Sequence, residues 1–174
     1  ERDAVDAHLE EERAIAEQIR ITVLHETAGH ALPRQRAQRL PLGIFACGTA
    51  RGSDEQEGRA LTLEDEAGML SVSRRRELGA RHLAAEAMRA GAGFVDTVRL
   101  LEVDTGAALP QALRIAARVH RGGGLGREIA YVPAYLRVRA AWREDRQSDA
   151  VLGSGRIAVG AVATLRPWVT DLAP

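Results

Sequence analysis

HETAGH, residues 25–30, sets two imidazoles on either side of a carboxylate within a predicted helix. At about 100° per residue, His25 and His30 lie roughly 140° apart around a regular α-helix and cannot bind one metal ion together. A π-helical turn, in which each N–H bonds the carbonyl five residues earlier, brings both imidazoles to one face. Gly29 makes such a distortion easier. The motif therefore predicts a π-helical distortion if the two histidines share a metal.

A catalytic zinc site needs three protein ligands and one open position, and two histidines with one glutamate are a known set. The third ligand is sought in the acidic stretch that follows the motif. Glu57 is favoured because Gly58, the next residue, permits close backbone approach. Three rivals stay open: Asp54, Glu55 and Glu64.

Glu26 adjoins a predicted ligand and is the candidate catalytic acid and base. Its counterpart in the HExxH pattern takes a proton from the attacking water. We expect Glu26 to do the same and to pass the proton to a leaving amine. The plainer interpretation is a solvated turn, because 28% of the chain is charged.

The rest of the chain indicates a mainly α fold with minor β. Apolar residues at intervals near 3.6 predict helices over residues 4–20, 55–66, 94–103, 110–120, 128–143 and 157–165. Ser73 is predicted to cap a further helix, and residues 33–54 are predicted to be a loop with one short strand from Leu42 to Cys47. RGGGLG, residues 121–126, predicts a break. We expect Phe94, Val98, Leu100 and Leu101 to be core, and Cys47 to be a small buried side chain.

Composition excludes several classes of protein. The 174 residues suit a single domain over residues 1–174. Twenty-four basic residues balance 24 acidic ones, and this neutral net charge disfavours a nucleic-acid or anionic-membrane partner. All 24 basic residues are arginine and none is lysine, which indicates a bacterial source. The single cysteine fits a cytoplasmic protein, and no apolar run is long enough for a membrane span.

Five pieces in this order resemble one metallopeptidase-like family: HETAGH (25–30), PLG (41–43), QEGRA (56–60), FVDTVRLL (94–101) and ARVHRGGGLGREIAYV (117–132). That family includes the microtubule-associated tyrosine carboxypeptidases and the bacterial flavohaemoglobin expression-modulating QEGLA-motif proteins. The resemblance covers residues 20–140. Family members usually extend further at the N-terminus, so we expect the chain to be the C-terminal, catalytic part of a longer protein or an unusually short member.

The resemblance implies Zn²⁺ on His25, His30 and Glu57, with Glu26 as the catalytic residue. It also aligns the family's arginine-triglycine element with Arg121 and the glycines that follow it. An arginine can grip a terminal carboxylate bidentately, so we expect Arg121 to hold the substrate's end. Further predicted substrate-binding residues are Gly122 and Gly123, beside the chain end, and His120 or Tyr131, at the scissile carbonyl.

The chain departs from the family at Arg59, where the QEGLA motif has leucine, and at His120, where an aromatic residue is commoner. Arg59 is expected either to favour an acidic substrate tail or to face solvent. These departures bear on substrate preference and leave the predicted ligands in place.

The sequence thus predicts a zinc-dependent peptidase, a metallocarboxypeptidase acting on the C-terminus of a peptide or protein. The alternative is a non-catalytic regulatory or binding module that keeps the fold, with or without structural zinc. A helical interaction domain without metal is a third interpretation. The sequence does not indicate an oligomeric state.

Overall fold

The computed structural model describes the backbone of residues 2–121 and 125–170 and the side chains of residues 10–121 and 127–169. Its α-helices in chain order are α1 (Arg2–Leu24), α2 (Leu32–Ala37), α3 (Gly43–Cys47), α4 (Gly52–Glu66), α5 (Val72–Arg89), α6 (Phe94–Thr105), α7 (Leu109–His120), α8 (Leu125–Glu144), α9 (Ser148–Leu152), α10 (Val162–Leu165) and α11 (Pro167–Thr170). A π-helical segment, His25–Ala31, joins α1 to α2, and a 3₁₀ turn, Val159–Ala161, precedes α10. The mainly α prediction is confirmed, and no strand occurs in the described residues.

Helix α4 is central and packs closely on both α8 and the π-helical segment. Two small residues of α4 allow this approach. A Cβ at Gly58 would lie 2.4 Å from the carbonyl carbon of Ala134 in α8, and a Cβ at Gly29 would lie 2.5 Å from the Cβ of Ala60. The predicted close approach at Gly58 is therefore confirmed. Within QEGRA, Gly58 packs against α8 and Ala60 packs against the π-helical segment.

Apolar side chains form three buried clusters around this centre. The first joins α2, α3 and the C-terminal half of α8 to α9–α11 around Phe45, Trp142 and Ile157. The second joins α5, α6 and α7 through small side chains such as Ala84, Ala112 and Ala116. The third is small, consists of Leu61, Leu70 and Leu78, and lies beside the site described below.

Local sequence signals explain several helix boundaries. Ser71 caps α5 by accepting a hydrogen bond from the backbone N–H of Arg74, so the prediction of Ser73 as the cap is wrong by two residues. Pro110 lies in the first turn of α7, where its missing N–H costs nothing. Gly106 ends α6 with a φ of 66°, which glycine adopts without strain.

Four expectations about residues 33–103 are wrong. The predicted strand from Leu42 to Cys47 is helix α3, since a short apolar run alone does not distinguish a strand from a buried helix. Residues 33–54, predicted as loop, also include most of α2 and the start of α4. Cys47, expected to be buried, is exposed, and Phe94, expected in the core, is 40% exposed.

Helix α1 is formed as predicted, but the part of its apolar stripe that the structure describes is not covered. Ile15 and Ile19 are 54% and 57% exposed. Among the described residues, no helix combines the length and the apolar character that crossing a bilayer requires.

Candidate metal centre

The helix distorts where the spacing of the histidines predicts it. His25–Ala31 is a seven-residue π-helix, and the N–H of Leu32 bonds the carbonyl of Thr27 five residues earlier. The Nε2 atoms of His25 and His30 both lie near Oε2 of Glu57, at 3.2 Å and 3.4 Å. The prediction that a π-helical turn brings both imidazoles to one face is confirmed.

His25, His30 and Glu57 form a group that could hold a metal ion. One ligand atom from each lies within 4.8 Å of the other two. Their side chains are only 15%, 17% and 13% exposed, so all three are largely shielded from solvent. Among the described residues, this group contains Glu57 and none of its three rivals.

Two of those rivals have other partners. Glu64, two helical turns after Glu57 on α4, contacts the opposite nitrogen of His25, with Oε1 at 2.7 Å from Nδ1. The Glu64 side chain has no exposed surface, and Arg74 pairs with it at 2.7 Å. Glu55 is paired with Arg137 and accepts a hydrogen bond from the backbone N–H of Val159.

Hydrogen bonds between the imidazoles and the carboxylates shift the pKa values of His25 and Glu57 in opposite directions. Burial alone would lower the pKa of His25, but hydrogen bonds to Glu57 and Glu64 outweigh it and raise that pKa to about 9. Burial alone would raise the pKa of Glu57, but hydrogen bonds to His25 and His30 lower it to about 2. The same bond to His25 and the pairing with Arg74 lower the pKa of Glu64 against the effect of its burial. Two carboxylates are thus kept ionised around one imidazole.

A cavity of about 180 Å³ opens beside the group. His25, Glu26 and Tyr131 line it together with apolar residues of α1, α4 and α5 and three arginines: Arg74, Arg81 and Arg118. Glu26 is exposed and reaches this cavity from the π-helix itself. The phenol of Tyr131 has its pKa raised, first by burial and then by the charge of Glu57.

Two of these arginines are held in place by one carboxylate. Glu128, which is 6% exposed, accepts from Nε of Arg81 and from Nε of Arg118, each at 2.6 Å. The guanidinium of Arg81 also lies 5.5 Å from the centre of the Tyr131 ring. Arg81 is paired with Glu77 as well, with Nη1 at 3.8 Å from Oε1. The two guanidinium groups are thus held at the rim of the cavity by carboxylates of α5 and α8.

The other predicted substrate-binding residues lie elsewhere or outside the described residues. Arg121 is exposed and lines a neighbouring cavity that also includes Arg81 and Arg118. His120 bonds Oγ1 of Thr97 at 2.9 Å and packs edge-on against Phe94. Gly122 and Gly123 fall outside the described residues, as does the middle of the predicted break at 121–126. The break is predicted too long at its end, since α8 already begins at Leu125.

Arg59 follows neither of its two predicted interpretations. It is 8% exposed, so it does not face solvent, and its guanidinium is occupied by protein groups. Nε and Nη2 bond the two carboxylate oxygens of Asp149 at 2.6 Å and 3.3 Å, and Nη1 donates to the carbonyl of Ala28 at 2.7 Å. The sequence offers no signal for these partners, because Asp149 is 90 residues away.

The donor set fits a zinc ion. Two imidazole nitrogens and one carboxylate are a known catalytic zinc set, and a carboxylate on the far nitrogen of a histidine ligand fixes the ring and its tautomer. Glu64 meets this requirement at His25. The arrangement can therefore hold a divalent metal, with a carboxylate, a phenol and three guanidinium groups around an adjoining cavity.

Comparison with known families gives one match over nearly the whole chain. The family model described as microtubule-associated tyrosine carboxypeptidase matches residues 9–171. Comparisons with curated proteins and with solved structures give no significant match.

Proposed function

The chain belongs to the microtubule-associated tyrosine carboxypeptidase family, and from this premise we propose that it is a zinc-dependent peptidase that removes the C-terminal residue of a peptide or protein. The observation that carries the proposal is the convergence of His25 and His30 on one oxygen of Glu57 across a π-helix. We propose residues 1–174 as one catalytic domain. The tyrosine of the family description does not fix the residue that this chain removes.

In this proposal His25, His30 and Glu57 hold Zn²⁺, and Glu64 orients His25. A bound zinc ion supplies Lewis-acid polarisation of a carbonyl and a water with a pKa near 7. The remaining work falls to side chains around the cavity, since they bind the substrate and move its protons.

Glu26 is the proposed proton carrier. It is exposed on the wall of the cavity and adjoins His25 in the chain. Its carboxylate takes a proton from the attacking water as the water oxygen bonds the scissile carbonyl carbon. The same proton then goes to the nitrogen of the leaving residue as the C–N bond breaks, so the carboxylate is regenerated.

Tyr131 is proposed to donate its phenolic hydrogen to the scissile carbonyl oxygen. Its raised pKa keeps the phenol protonated at neutral pH, which a hydrogen-bond donor requires. The guanidinium of Arg81 beside the ring restricts its position. A donor already aimed at the developing negative charge lowers the barrier without reorganisation.

Arg81 and Arg118 are proposed to hold the terminal carboxylate of the substrate. Both line the same cavity as His25 and Glu26, and Glu128 fixes each of them through Nε. Nη1 of Arg81 also lies 3.8 Å from a carboxylate oxygen of Glu77, a half-exposed side chain that a substrate carboxylate would have to compete with. Arg121, from the arginine-triglycine element, remains the rival prediction for this role and lines the neighbouring cavity.

A pair of peptides distinguishes the two arginine assignments. A carboxypeptidase should cleave a peptide with a free C-terminal carboxylate and spare the same peptide ending in an amide. Arg118→Gln is expected to raise KM for the free acid and weaken this preference, whereas Arg121→Gln should keep it. The reverse result would support the role of Arg121.

Metal content and hydrolysis test the proposed function itself. Elemental analysis should find about one zinc per chain in the wild type and its loss in Glu57→Ala. A library of peptides with varied C-termini should be shortened by the wild type and left intact by Glu26→Gln. Zinc without hydrolysis would support the alternative of a non-catalytic module. Absence of zinc in the wild type would contradict the peptidase and leave the non-catalytic module or the metal-free interaction domain.

A further inference from the structure

We propose that Arg59 is a positioning residue for the metal centre, holding the π-helix in the form in which His25 and His30 face one metal ion. This inference rests on the proposed zinc site. It concerns a residue at which the chain departs from the QEGLA motif, and it assigns a role to the bond between Arg59 and a backbone carbonyl of the π-helix.

The π-helix leaves one carbonyl without its regular partner. The N–H of Leu32 bonds the carbonyl of Thr27, and continuing this pattern would pair the carbonyl of Ala28 with the N–H of residue 33. Residue 33 is proline, which has no N–H. Pro33 therefore ends the π-helical pattern and leaves the Ala28 carbonyl to be satisfied from outside the helix.

Arg59 supplies the missing donor. Its Nη1 atom donates to the Ala28 carbonyl at 2.7 Å. Ala28 lies between the two histidines, so this bond fixes the backbone at the middle of the distorted turn. Without the donor, the carbonyl would have to turn toward water or the segment would have to relax toward regular α-helical bonding, which separates the imidazoles.

The surroundings of Arg59 are shaped for this guanidinium. Asp149 accepts two hydrogen bonds from it, at Nε and Nη2, which leaves Nη1 directed at the π-helix. Gly153 makes the room, since a Cβ there would lie 2.9 Å from Nη2 of Arg59. The π-helix is thus linked through Arg59 to α9, where Asp149 lies 90 residues after Arg59 in the chain.

Lysine and leucine at position 59 separate positioning from packing. Lysine keeps a positive charge but cannot bond Asp149 bidentately and reach Ala28 at once, and leucine fills the space with no donor. Arg137→Leu is the matched control, because Arg137 also pairs with a buried carboxylate of α4, Glu55, at 2.7 Å but has no bond to the π-helix. Thermal unfolding of the metal-free proteins measures the stability of each variant, so that effects on zinc binding can be compared between variants of similar stability.

The experiment measures zinc affinity and the visible absorption of the cobalt-loaded protein. Arg59→Leu is expected to weaken zinc binding by about 10-fold or more, in the range found for residues that orient ligands. It should also alter the cobalt ligand-field bands, while Arg137→Leu should lower stability without changing either readout. Arg59→Lys should fall between Arg59→Leu and the wild type.

Hydrogen exchange of the metal-free protein gives a second measurement that needs no metal. Amides of residues 25–32 should exchange faster in Arg59→Leu than in Arg137→Leu at equal stability. Wild-type zinc affinity and unchanged cobalt bands in Arg59→Leu would overturn the role of Arg59 and leave the proposed centre standing. Absence of zinc binding by the wild type would instead overturn the centre itself, and the inference with it.

Discussion

Oε1 of Glu64 lies 2.7 Å from Nδ1 of His25, on the side of the imidazole that faces away from Glu57. The contact is sheltered, because the Glu64 side chain has no exposed surface and is paired with Arg74. With Nδ1 donating to a carboxylate, Nε2 carries the lone pair that a metal needs. His25 is thus oriented by the same helix that provides Glu57.

Glu64→Gln is therefore expected to weaken zinc binding by about 10- to 100-fold, the usual effect of removing a carboxylate behind a histidine ligand. Competition with a chromophoric chelator measures the change. Asp65→Asn is the matched control, since Asp65 is the next residue on α4 but bonds Tyr135 and Arg75. Equal zinc affinities in the two variants would contradict the role of Glu64.

Gly29→Ala is expected to destabilise the protein by about 1–3 kcal/mol, the typical cost of overpacking. The added Cβ would lie 2.5 Å from the Cβ of Ala60, so α4 and the π-helix would have to separate. Chemical denaturation measures the loss, and zinc affinity should fall with it because Glu57 is carried on α4.

Gly79→Ala is the control for Gly29→Ala. Gly79 lies inside α5 with no heavy atom within 4 Å of an added Cβ. The same substitution there should stabilise the protein by about 0.5–1 kcal/mol through the lower backbone entropy of alanine. A destabilisation of equal size at both positions would show that contact with Ala60 is not the cause.

The parts of the site that depend on local backbone geometry can be predicted from the sequence. The five-residue spacing of His25 and His30 requires a π-helix for a shared metal, and Gly58 beside Glu57 marks a close helix contact; both features are present. Sequence reasoning fails where the partner is remote in the chain. The pairing of Arg59 with Asp149 has no local signal.

Sequence also fails to predict which arginines and histidines reach the cavity beside His25. His120 directly precedes Arg121, the first residue of the arginine-triglycine element, yet His120 bonds Thr97 and Arg121 lines the neighbouring cavity. Arg81 and Arg118 reach the cavity beside His25 from α5 and α7, and only the packing of these helices brings them to Glu128. Such convergence is a tertiary property that periodicity does not encode.

The stabilising effect of Glu128 should depend on pH in a defined direction. Burial alone would raise its pKa, but hydrogen bonds from Arg81 and Arg118 hold the pKa below the ordinary value of 4.5. A carboxyl with a lowered folded-state pKa stabilises fully above its unfolded-state pKa, and this contribution falls as pH drops below about 4.5.

We therefore expect Glu128→Gln to be less stable than the wild type by about 2 kcal/mol near pH 7, as for lost hydrogen bonds to charged groups. The difference should shrink as the pH falls below 4.5. Urea denaturation at several pH values measures both quantities. A difference that is constant from pH 7 into the acid range would contradict the ionised pairing of Glu128 with the two arginines.

Tyr131 and His120 are the two alternative candidates for the residue at the scissile carbonyl, and their surroundings predict different effects of substitution. Tyr131 lines the cavity beside His25 and Glu26, whereas His120 joins the end of α7 to Thr97 near the start of α6. Tyr131→Phe should lower kcat by about 10- to 1,000-fold, and the upper end of this range is the usual effect of removing one hydrogen-bond donor to the oxyanion. The free energy of unfolding should be nearly unchanged.

His120→Ala should instead lower the unfolding free energy by about 1 kcal/mol, the usual value of one hydrogen bond, and leave kcat and zinc affinity near those of the wild type. Kinetics on a cleaved peptide and denaturation of both variants give the comparison. A large loss of kcat in His120→Ala at unchanged stability would return the carbonyl-polarising role to His120, and full activity of Tyr131→Phe would remove it from Tyr131. Since one side chain lines the cavity and the other bonds a neighbouring helix, we expect the kinetic and stability effects to fall on different residues.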